Sequence, residues 1–214
     1  HIAGLVAADL HPTPVNQAHF VTSTSHKTMR GPRGGFILSS SEYGRTLNSK
    51  IFPGMQGGPL MHVLAAKAVA FQEAIGDGFR KYQARIIANA QALSYNLQQA
   101  GFSVLTGGTD NHLLLLDLRN QNITGQEAET ILDQVGITAN KNAIPFDPAP
   151  PAVTSGIRLG TPLVTTRGMN EKDMATIAGW IQAALTAGNN QTWLNQIREQ
   201  VHHFASSFPI AAAE

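Results

Sequence analysis

The pattern of apolar residues changes near residue 58, and this change limits the fold more than any other feature. Before it, short apolar runs such as residues 19–23 and 35–39 are separated by glycine and proline, which indicates short buried strands joined by loops. After it, apolar residues recur at every third or fourth position, which is typical of amphipathic helices. The chain therefore belongs to the α/β class, and we expect two packing units.

The helical part of the chain carries start and stop signals. The pattern predicts a helix over residues 59–75, with Pro59 at its first position, and a break at residues 76–78. The apolar face of the next helix comprises Phe79, Tyr82, Ile86, Ala90, Leu93 and Leu97. Thr124 begins a later helix with a capping box, and Asn170 caps another. We also expect strands at residues 102–105, 112–118 and 156–160, an irregular loop at 140–151 and a loose terminus at 211–214.

Charge and composition exclude several function classes. Lys and Arg number 15 and Asp and Glu 14, so the net charge of +1 argues against nucleic-acid or membrane-surface binding through bulk positive charge. Charged residues make up 14% of the chain, against about 25% in typical domains, which suggests that other chains cover much of the surface. The sequence has no cysteine, which excludes disulfides and a thiolate nucleophile. No apolar run approaches the roughly 20 residues that span a bilayer.

The densest polar cluster follows the first predicted strand. Residues 22–33 contain five hydroxyl side chains together with His26, Lys27, Arg30 and Arg33. A solvated basic loop is one interpretation. The other is a site for an anionic ligand, in which neighbouring positive charges disfavour the ammonium form of Lys27. A neutral amine is what covalent attachment to an aldehyde requires.

Two further motifs suggest anion binding. The glycine-rich run at residues 54–59 precedes a predicted helix, whose free N–H groups suit a phosphate, although a plain glycine turn fits the spacing equally well. Arg158 lies in an apolar strand, where it suits either a substrate carboxylate or a structural ion pair. The eight histidines form no metal-ligand pattern, so no metal site is expected.

Five motifs, in order and in register, resemble serine hydroxymethyltransferase. They are HIAGL at residues 1–5, TSTSHKTMRGPRGG at 22–35, FPGMQGGPLMH at 52–62, TGGTDNH at 106–112 and TSGIRLGTP at 154–162. The resemblance covers essentially the whole chain and matches the C-terminal half of that enzyme. It implies a fold-type I protein dependent on pyridoxal 5′-phosphate (PLP), with residues 1–72 from the large PLP-binding domain and residues 73–214 forming an α+β small domain.

The resemblance also implies roles for individual residues. Lys27 corresponds to the lysine that carries PLP, and Arg158 to the arginine that binds the amino-acid carboxylate. The other catalytic or cofactor-binding positions are His26, Thr24, His1, Arg33, Gly57 and Gly58, of which the two glycines approach the cofactor phosphate of a partner subunit. The folate positions are Asn142, Pro150, Pro151 and Ala152, and the last three replace a frequent Ser-Pro-Phe.

The implied reaction converts serine and tetrahydrofolate reversibly to glycine and 5,10-methylenetetrahydrofolate. The implied assembly is a cytoplasmic homodimer or tetramer that binds neither membrane nor nucleic acid. Because His1 opens directly onto an apolar run, we expect a fragment that needs the N-terminal half of the same protein, and little or no activity from this chain alone.

Two alternatives remain open from the sequence. Another fold-type I PLP enzyme, such as a threonine aldolase or an aminotransferase, would share a lysine and a carboxylate-binding arginine. A non-catalytic half-molecule that dimerises would also fit the low charge content and the apolar helix faces.

Overall fold

The computed structural model describes residues 1–210 and divides the chain into two compact units. Unit 1 comprises residues 1–84, and unit 2 begins at residue 85. The loose terminus predicted at residues 211–214 lies outside the described residues. The assignment of residues 1–72 to a large domain and 73–214 to a small domain stays a prediction. Helices and strands occur in both units, so the α/β class is confirmed.

Unit 1 contains few regular elements, most of them short. In chain order they are α1 (Ala3–Ala7), β1 (Phe20–Thr24), β2 (Gly35–Ser39), a 3₁₀ turn (Ser41–Tyr43), α2 (Gly44–Ser49), a π-helical turn (Lys50–Met55) and α3 (Met61–Ala74). The long helix α4 (Asp77–Gln99) begins in this unit. β1 and β2 form a two-stranded antiparallel sheet in which Thr22 faces Ile37.

The expectation that β1 and β2 are buried is wrong. Phe20, Ile37 and Leu38 are each at least 40% exposed, although the strands lie within one residue of their predicted positions. A two-stranded sheet buries a face only when another layer packs on it. The described residues supply no such layer over these three side chains.

Two predicted helix boundaries in unit 1 are also wrong. Pro59 is not the first residue of α3, because Leu60 is extended and its carbonyl accepts the first helical N–H groups, those of Val63 and Leu64. The predicted break at residues 76–78 is shorter, since α4 already includes Asp77. An acidic residue in a first turn interacts favourably with the helix dipole, which outweighs the low helix propensity of the adjoining glycine.

Unit 2 is built around a four-stranded antiparallel sheet with helices packed on it. Its elements are β3 (Ser103–Val104), β4 (Leu113–Asp117), α5 (Gly125–Gln134), β5 (Asn140–Asn142), β6 (Gly156–Gly160), α6 (Pro162–Thr166), α7 (Glu171–Ala187) and α8 (Gln191–Ser206). The strand order is β3-β4-β6-β5. β5 corrects the sequence analysis, which predicted irregular structure there. Polar residues form a strand at this point because each of them pairs with β6.

The predicted helical faces form the core of unit 2. The capping box predicted at Thr124 is present, and the predicted cap Asn170 also forms a capping box, with Asp173. Apolar side chains of α5, α7 and α8 pack against Leu114, Leu116 and Ile157 of the sheet in one buried cluster. Each of these contacts removes apolar surface from water, which is the main force that stabilises such a layer. Among residues 1–210, no helix is both long enough and apolar enough to cross a bilayer.

Candidate functional site

Lys27 lies in a tight turn just beyond β1. The backbone N–H of Arg30 donates to the Lys27 carbonyl over 2.9 Å, and Arg30 adopts a left-handed conformation with φ of 54°. The Lys27 side chain is exposed, and no carboxylate among residues 1–210 forms an ion pair with it. The turn therefore presents a primary amine that the described part of the chain leaves accessible.

The hydroxyl of Thr28 ties the start of the chain to this turn. It donates to the carbonyl of His1 and accepts the N–H of Gly4 over 2.9 Å. A Cβ at Gly4 would lie 2.3 Å from the Thr28 carbonyl oxygen, so only glycine fits there. The amide of Gln83 donates to the same carbonyl over 2.7 Å. These contacts hold His1, which is exposed, next to the turn that carries Lys27.

The ring of His26 is oriented by Arg33 and Gly34. The guanidinium of Arg33 approaches Nε2 at 3.2 Å, and since arginine can only donate, Nε2 must accept. Nδ1 lies 3.2 Å from both the carbonyl oxygen and the backbone nitrogen of Gly34. These contacts orient the ring and bring together two of the residues predicted from sequence.

The guanidinium of Arg30 interacts with two other side chains of unit 1. Its guanidinium lies 4.4 Å from the centre of the Tyr82 ring and 3.7 Å from a carboxylate oxygen of Glu73. Of the cations expected to crowd Lys27, this one has an ion pair and a cation–π contact of its own. Ser25 is fully buried, and its hydroxyl donates to the Pro32 carbonyl over 2.6 Å, which closes the loop between β1 and β2.

Thr24 carries an unpartnered polar atom. Its Oγ1 is buried and makes no hydrogen bond to any of residues 1–210. Such an orphaned hydroxyl is unfavourable unless a ligand or another chain satisfies it. Because Thr24 ends β1 three residues before Lys27, the unfilled hydrogen bond lies in the segment that the sequence marks as a site.

Gly57 and Gly58 lie in the exposed segment between the π-helical turn and α3. Neither has a positive φ, and a Cβ built on either would meet nothing within 4 Å. The described part of the chain therefore gives no reason for glycine at either position. Glycine would be needed at both positions if a ligand approached the backbone closely, which agrees with the phosphate interpretation of this motif.

Arg158 and Asn142 share one face of the sheet in unit 2. Arg158 pairs with Asn140 and Leu115, and Asn142 pairs with Gly156, so these side chains alternate away from the core-facing residues of β6. Arg158 is half-buried and forms no ion pair with any carboxylate of residues 1–210. It lines an open cleft with Pro145. This removes the structural ion pair as an explanation within the described residues.

The predicted folate segment lies in an exposed turn. Pro150, Pro151 and Ala152 are all exposed, and the N–H groups of Val153 and Thr154 donate to the Pro150 carbonyl. The amide of Asn142 donates to the neighbouring Ala143 carbonyl over 2.8 Å, so its oxygen is left for a ligand.

Sequence reasoning missed Asp147, a carboxylate of unit 2 that accepts four hydrogen bonds. It accepts from the hydroxyl and N–H of Ser155 and from the N–H groups of Ile144 and Ala149. The run Phe-Asp-Pro at residues 146–148 could have indicated a side-chain turn, because aspartate accepts hydrogen bonds from nearby backbone N–H groups. No group of His, Asp and Glu side chains within residues 1–210 could hold a metal ion.

An accessible amine at a strand end and an arginine without an ion pair are the parts that PLP-dependent enzymes of amino-acid metabolism use. The family model described as serine hydroxymethyltransferase matches residues 1–181. A serine hydroxymethyltransferase of Myxococcus xanthus (strain DK1622) is 56% identical over 213 residues, which cover 100% of this chain and 51% of the relative. The chain belongs to the serine hydroxymethyltransferase family, and it spans about half the length of that relative.

Enzymes of this family use PLP, and the residues present fit that group. The amine of Lys27 is unpaired within the described residues, and the buried hydroxyl of Thr24 lacks a partner. The nearby donors are cationic or neutral, as an anionic phosphate ester requires.

Proposed function

We propose that this chain contributes to a serine hydroxymethyltransferase, which converts serine and tetrahydrofolate reversibly to glycine and 5,10-methylenetetrahydrofolate. The observation that carries the proposal is the unpaired, exposed amine of Lys27 at the end of β1. The membership of the family favours this reaction over that of other fold-type I enzymes.

In the proposed site, Lys27 holds the cofactor covalently through its Nζ. PLP, when bound, supplies an aldehyde and a ring that accepts electrons from the substrate α carbon. The Thr24 hydroxyl donates its unused hydrogen bond to the bound group, and His1 lies beside the ring. His26, oriented by Arg33 and Gly34, is assigned to the same site.

Arg158 orients the amino-acid substrate in this proposal. Its planar guanidinium binds the carboxylate through two hydrogen bonds, which fixes the bond to be broken relative to the cofactor. The folate contacts are assigned to Asn142, which shares a sheet face with Arg158, and to the exposed turn that contains Pro150, Pro151 and Ala152.

The proposed enzyme requires polypeptide beyond this chain. Gly57 and Gly58 are assigned to the phosphate site of a partner subunit in a homodimer or tetramer, which would account for glycine in an exposed segment. We further propose that turnover needs the half of the fold that this chain does not share with its relative. A cytoplasmic location stays a prediction.

Covalent labelling tests the proposal. The chain is combined with a polypeptide corresponding to the remaining half, incubated with PLP and reduced with borohydride, which fixes the cofactor to a reactive amine. Peptide mass mapping should find the label on Lys27, and Lys27→Ala should abolish it, whereas Lys172→Ala on the exposed surface of α7 should not.

Activity then separates the remaining alternatives. Folate-dependent exchange of the glycine α-proton distinguishes this reaction from that of other PLP enzymes. Absence of a label at Lys27 would instead support a non-catalytic half-molecule. Equal turnover with and without the complementary half would contradict the proposed dependence on it.

A further inference from the structure

The connection between β5 and β6 is organised by a single carboxylate. Oδ1 of Asp147 accepts the Ser155 hydroxyl at 2.7 Å and the Ala149 N–H at 2.9 Å. Oδ2 accepts the N–H groups of Ser155 at 2.9 Å and Ile144 at 3.1 Å. The Asp147 N–H returns a hydrogen bond to the Ile144 carbonyl. One side chain therefore binds both ends of the loop that joins the two strands.

All four partners of Asp147 are donors, so this position requires an acceptor on both oxygens. The Ser155 hydroxyl first, and then the three backbone N–H groups, hold the pKa of the Asp147 carboxyl well below its usual value. An asparagine would have nearly the same shape, but its NH₂ group would face donors. Asp147→Asn therefore tests the charge and acceptor pattern without changing the size of the side chain.

The loop that Asp147 closes holds two unusual backbone conformations. Phe146 has φ of 55° although it is a bulky residue, and its side chain is fully exposed. Thr154 has φ of 58° and is buried. Residues of these types enter the left-handed region only when surrounding contacts enforce it. Asp147 directly follows Phe146, and its side chain accepts two hydrogen bonds from Ser155, the residue after Thr154. These hydrogen bonds are therefore well placed to enforce both conformations.

The bonded residues lie close to the proposed substrate contacts in the sequence. Ile144 follows Asn142 by two residues, and Ser155 precedes Arg158 by three. Gly156 sits between them, where a Cβ would lie 2.7 Å from Ile144 Cγ2 and 2.8 Å from the Asn142 carbonyl oxygen. The two strands are thus closely packed at Gly156, which directly follows a residue bonded to Asp147.

We propose that Asp147 is a positioning residue that fixes Asn142 and Arg158 relative to each other by locking the β5–β6 connection. The assignment of substrate contacts to those two residues rests on the proposed function. The locking itself rests only on the hydrogen bonds within unit 2. The Asp117–Arg119 ion pair lies near Asp147, and the negative charge of Asp147 acts to raise the pKa of both side chains.

The first experiment requires no ligand. In the intact chain, NMR hydrogen exchange of the Ser155 and Ile144 amides and the Nε–H resonance of Arg158 are compared among the parent, Asp147→Asn and Ser155→Ala. We expect about tenfold faster exchange and a shifted Arg158 resonance in Asp147→Asn, because bonds to a charged acceptor are lost. Ser155→Ala, which keeps its N–H, should show a smaller change. Asp133→Asn on the exposed surface of α5 is the matched control.

The second experiment measures glycine binding, folate binding and serine turnover in the protein combined with its complementary half and PLP. Asp147→Asn should raise the KM for serine and the Kd for folate more than it lowers kcat, since positioning affects binding at both residues. Unchanged exchange and an unchanged Arg158 resonance in both loop variants would overturn the inference. If the parent does not bind the amino acid, that result would count against the proposed function. The exchange experiment would still decide whether Asp147 locks the connection.

Discussion

The two units of the chain differ in how much of their apolar surface they bury. Within the described residues 1–210, unit 2 gathers 22 buried residues in one cluster, whereas the cluster of unit 1 contains Ala8, Met29 and Phe79. Large apolar side chains that are exposed number 12 within residues 1–84 and five within residues 85–210. The unit that carries Lys27 is therefore the one that buries the least apolar surface by itself.

The accessible amine of Lys27 and the larger buried core therefore belong to different parts of the chain. Exposed apolar surface on this scale is unfavourable in water and usually marks an interaction surface. An apolar groove of unit 1 is lined by half-buried Val6, Val21, Phe36 and Phe71. The low charge content of the sequence agrees with coverage by other polypeptide.

The largest difference between the two units should be in folding, when each is produced separately. We expect residues 85–214 to unfold cooperatively and to give dispersed NMR spectra, because this segment contains the whole large cluster. Residues 1–84 should show no cooperative transition in circular dichroism. A cooperative transition for residues 1–84 would show that unit 1 buries enough apolar surface to fold by itself.

Truncation of single apolar side chains should have the next largest effect. The loss in free energy of unfolding should differ between the two units. Ile157→Ala removes a fully buried side chain of β6 and should lower the free energy of unfolding by about 2–5 kcal/mol. Ile37→Ala on β2, where the side chain is 40% exposed, should change it by less than about 1 kcal/mol. Urea denaturation followed by circular dichroism measures both. Equal losses would show that unit 1 contributes a core of its own.

A pair of glycine substitutions tests the packing of unit 2. Gly156→Ala places a Cβ within 2.8 Å of two carbonyl oxygens and should cost about 1–3 kcal/mol. Gly179→Ala in α7 meets nothing within 4 Å and should stabilise by about 0.5–1 kcal/mol, because alanine favours the helix. Fluorescence of Trp180 and Trp193, both in unit 2, follows the transition. The same sign for both variants would contradict this packing.

The cap of α5 should have a moderate effect. Thr124→Ala removes the hydroxyl that accepts the Glu127 N–H and should cost about 1 kcal/mol. Thr130→Ala on the exposed side of the same helix is the control and should change stability by under about 0.5 kcal/mol. Thermal unfolding of both variants under one buffer condition gives the comparison. A cost at Thr130 equal to that at Thr124 would exclude the cap as its cause.

The smallest effect should be a change in acid sensitivity. The pKa of Asp147 is lowered in the folded state, so its contribution to stability is present above the unfolded value of about 4 and is lost as pH falls below it. The parent should therefore lose stability more steeply between about pH 5 and pH 3 than Asp147→Asn. Urea midpoints across this range measure the slopes. Parallel slopes would mean that Asp147 is not stabilised in its ionised form.

The sequence predicted what depends on neighbours along the chain. The apolar positions of α4, α5 and α7, the helix caps at Thr124 and Asn170 and the strand that carries Arg158 all follow from spacing over a few residues. The motifs likewise located Lys27 and Arg158 without any knowledge of distances. Family membership now supports the reaction implied by those motifs, while the individual site roles stay proposals.

The sequence did not predict features that depend on distant partners. The exposure of β1 and β2 follows from the lack of a covering layer within the described residues, which no local pattern reveals. The polar strand β5 forms because β6 pairs with it. The hydrogen bonds of Asp147 include a residue eight positions away, and Ser155 gives no local sign of that contact.

The four-stranded sheet has unusually short outer strands, since β3 contains two residues and β5 only three. A second polypeptide that tried to extend this sheet would find few free backbone donors and acceptors along either border. Strand addition is therefore a poor route for joining copies of this protein. Side-chain contacts through helices and loops are the route by which we expect subunits to associate.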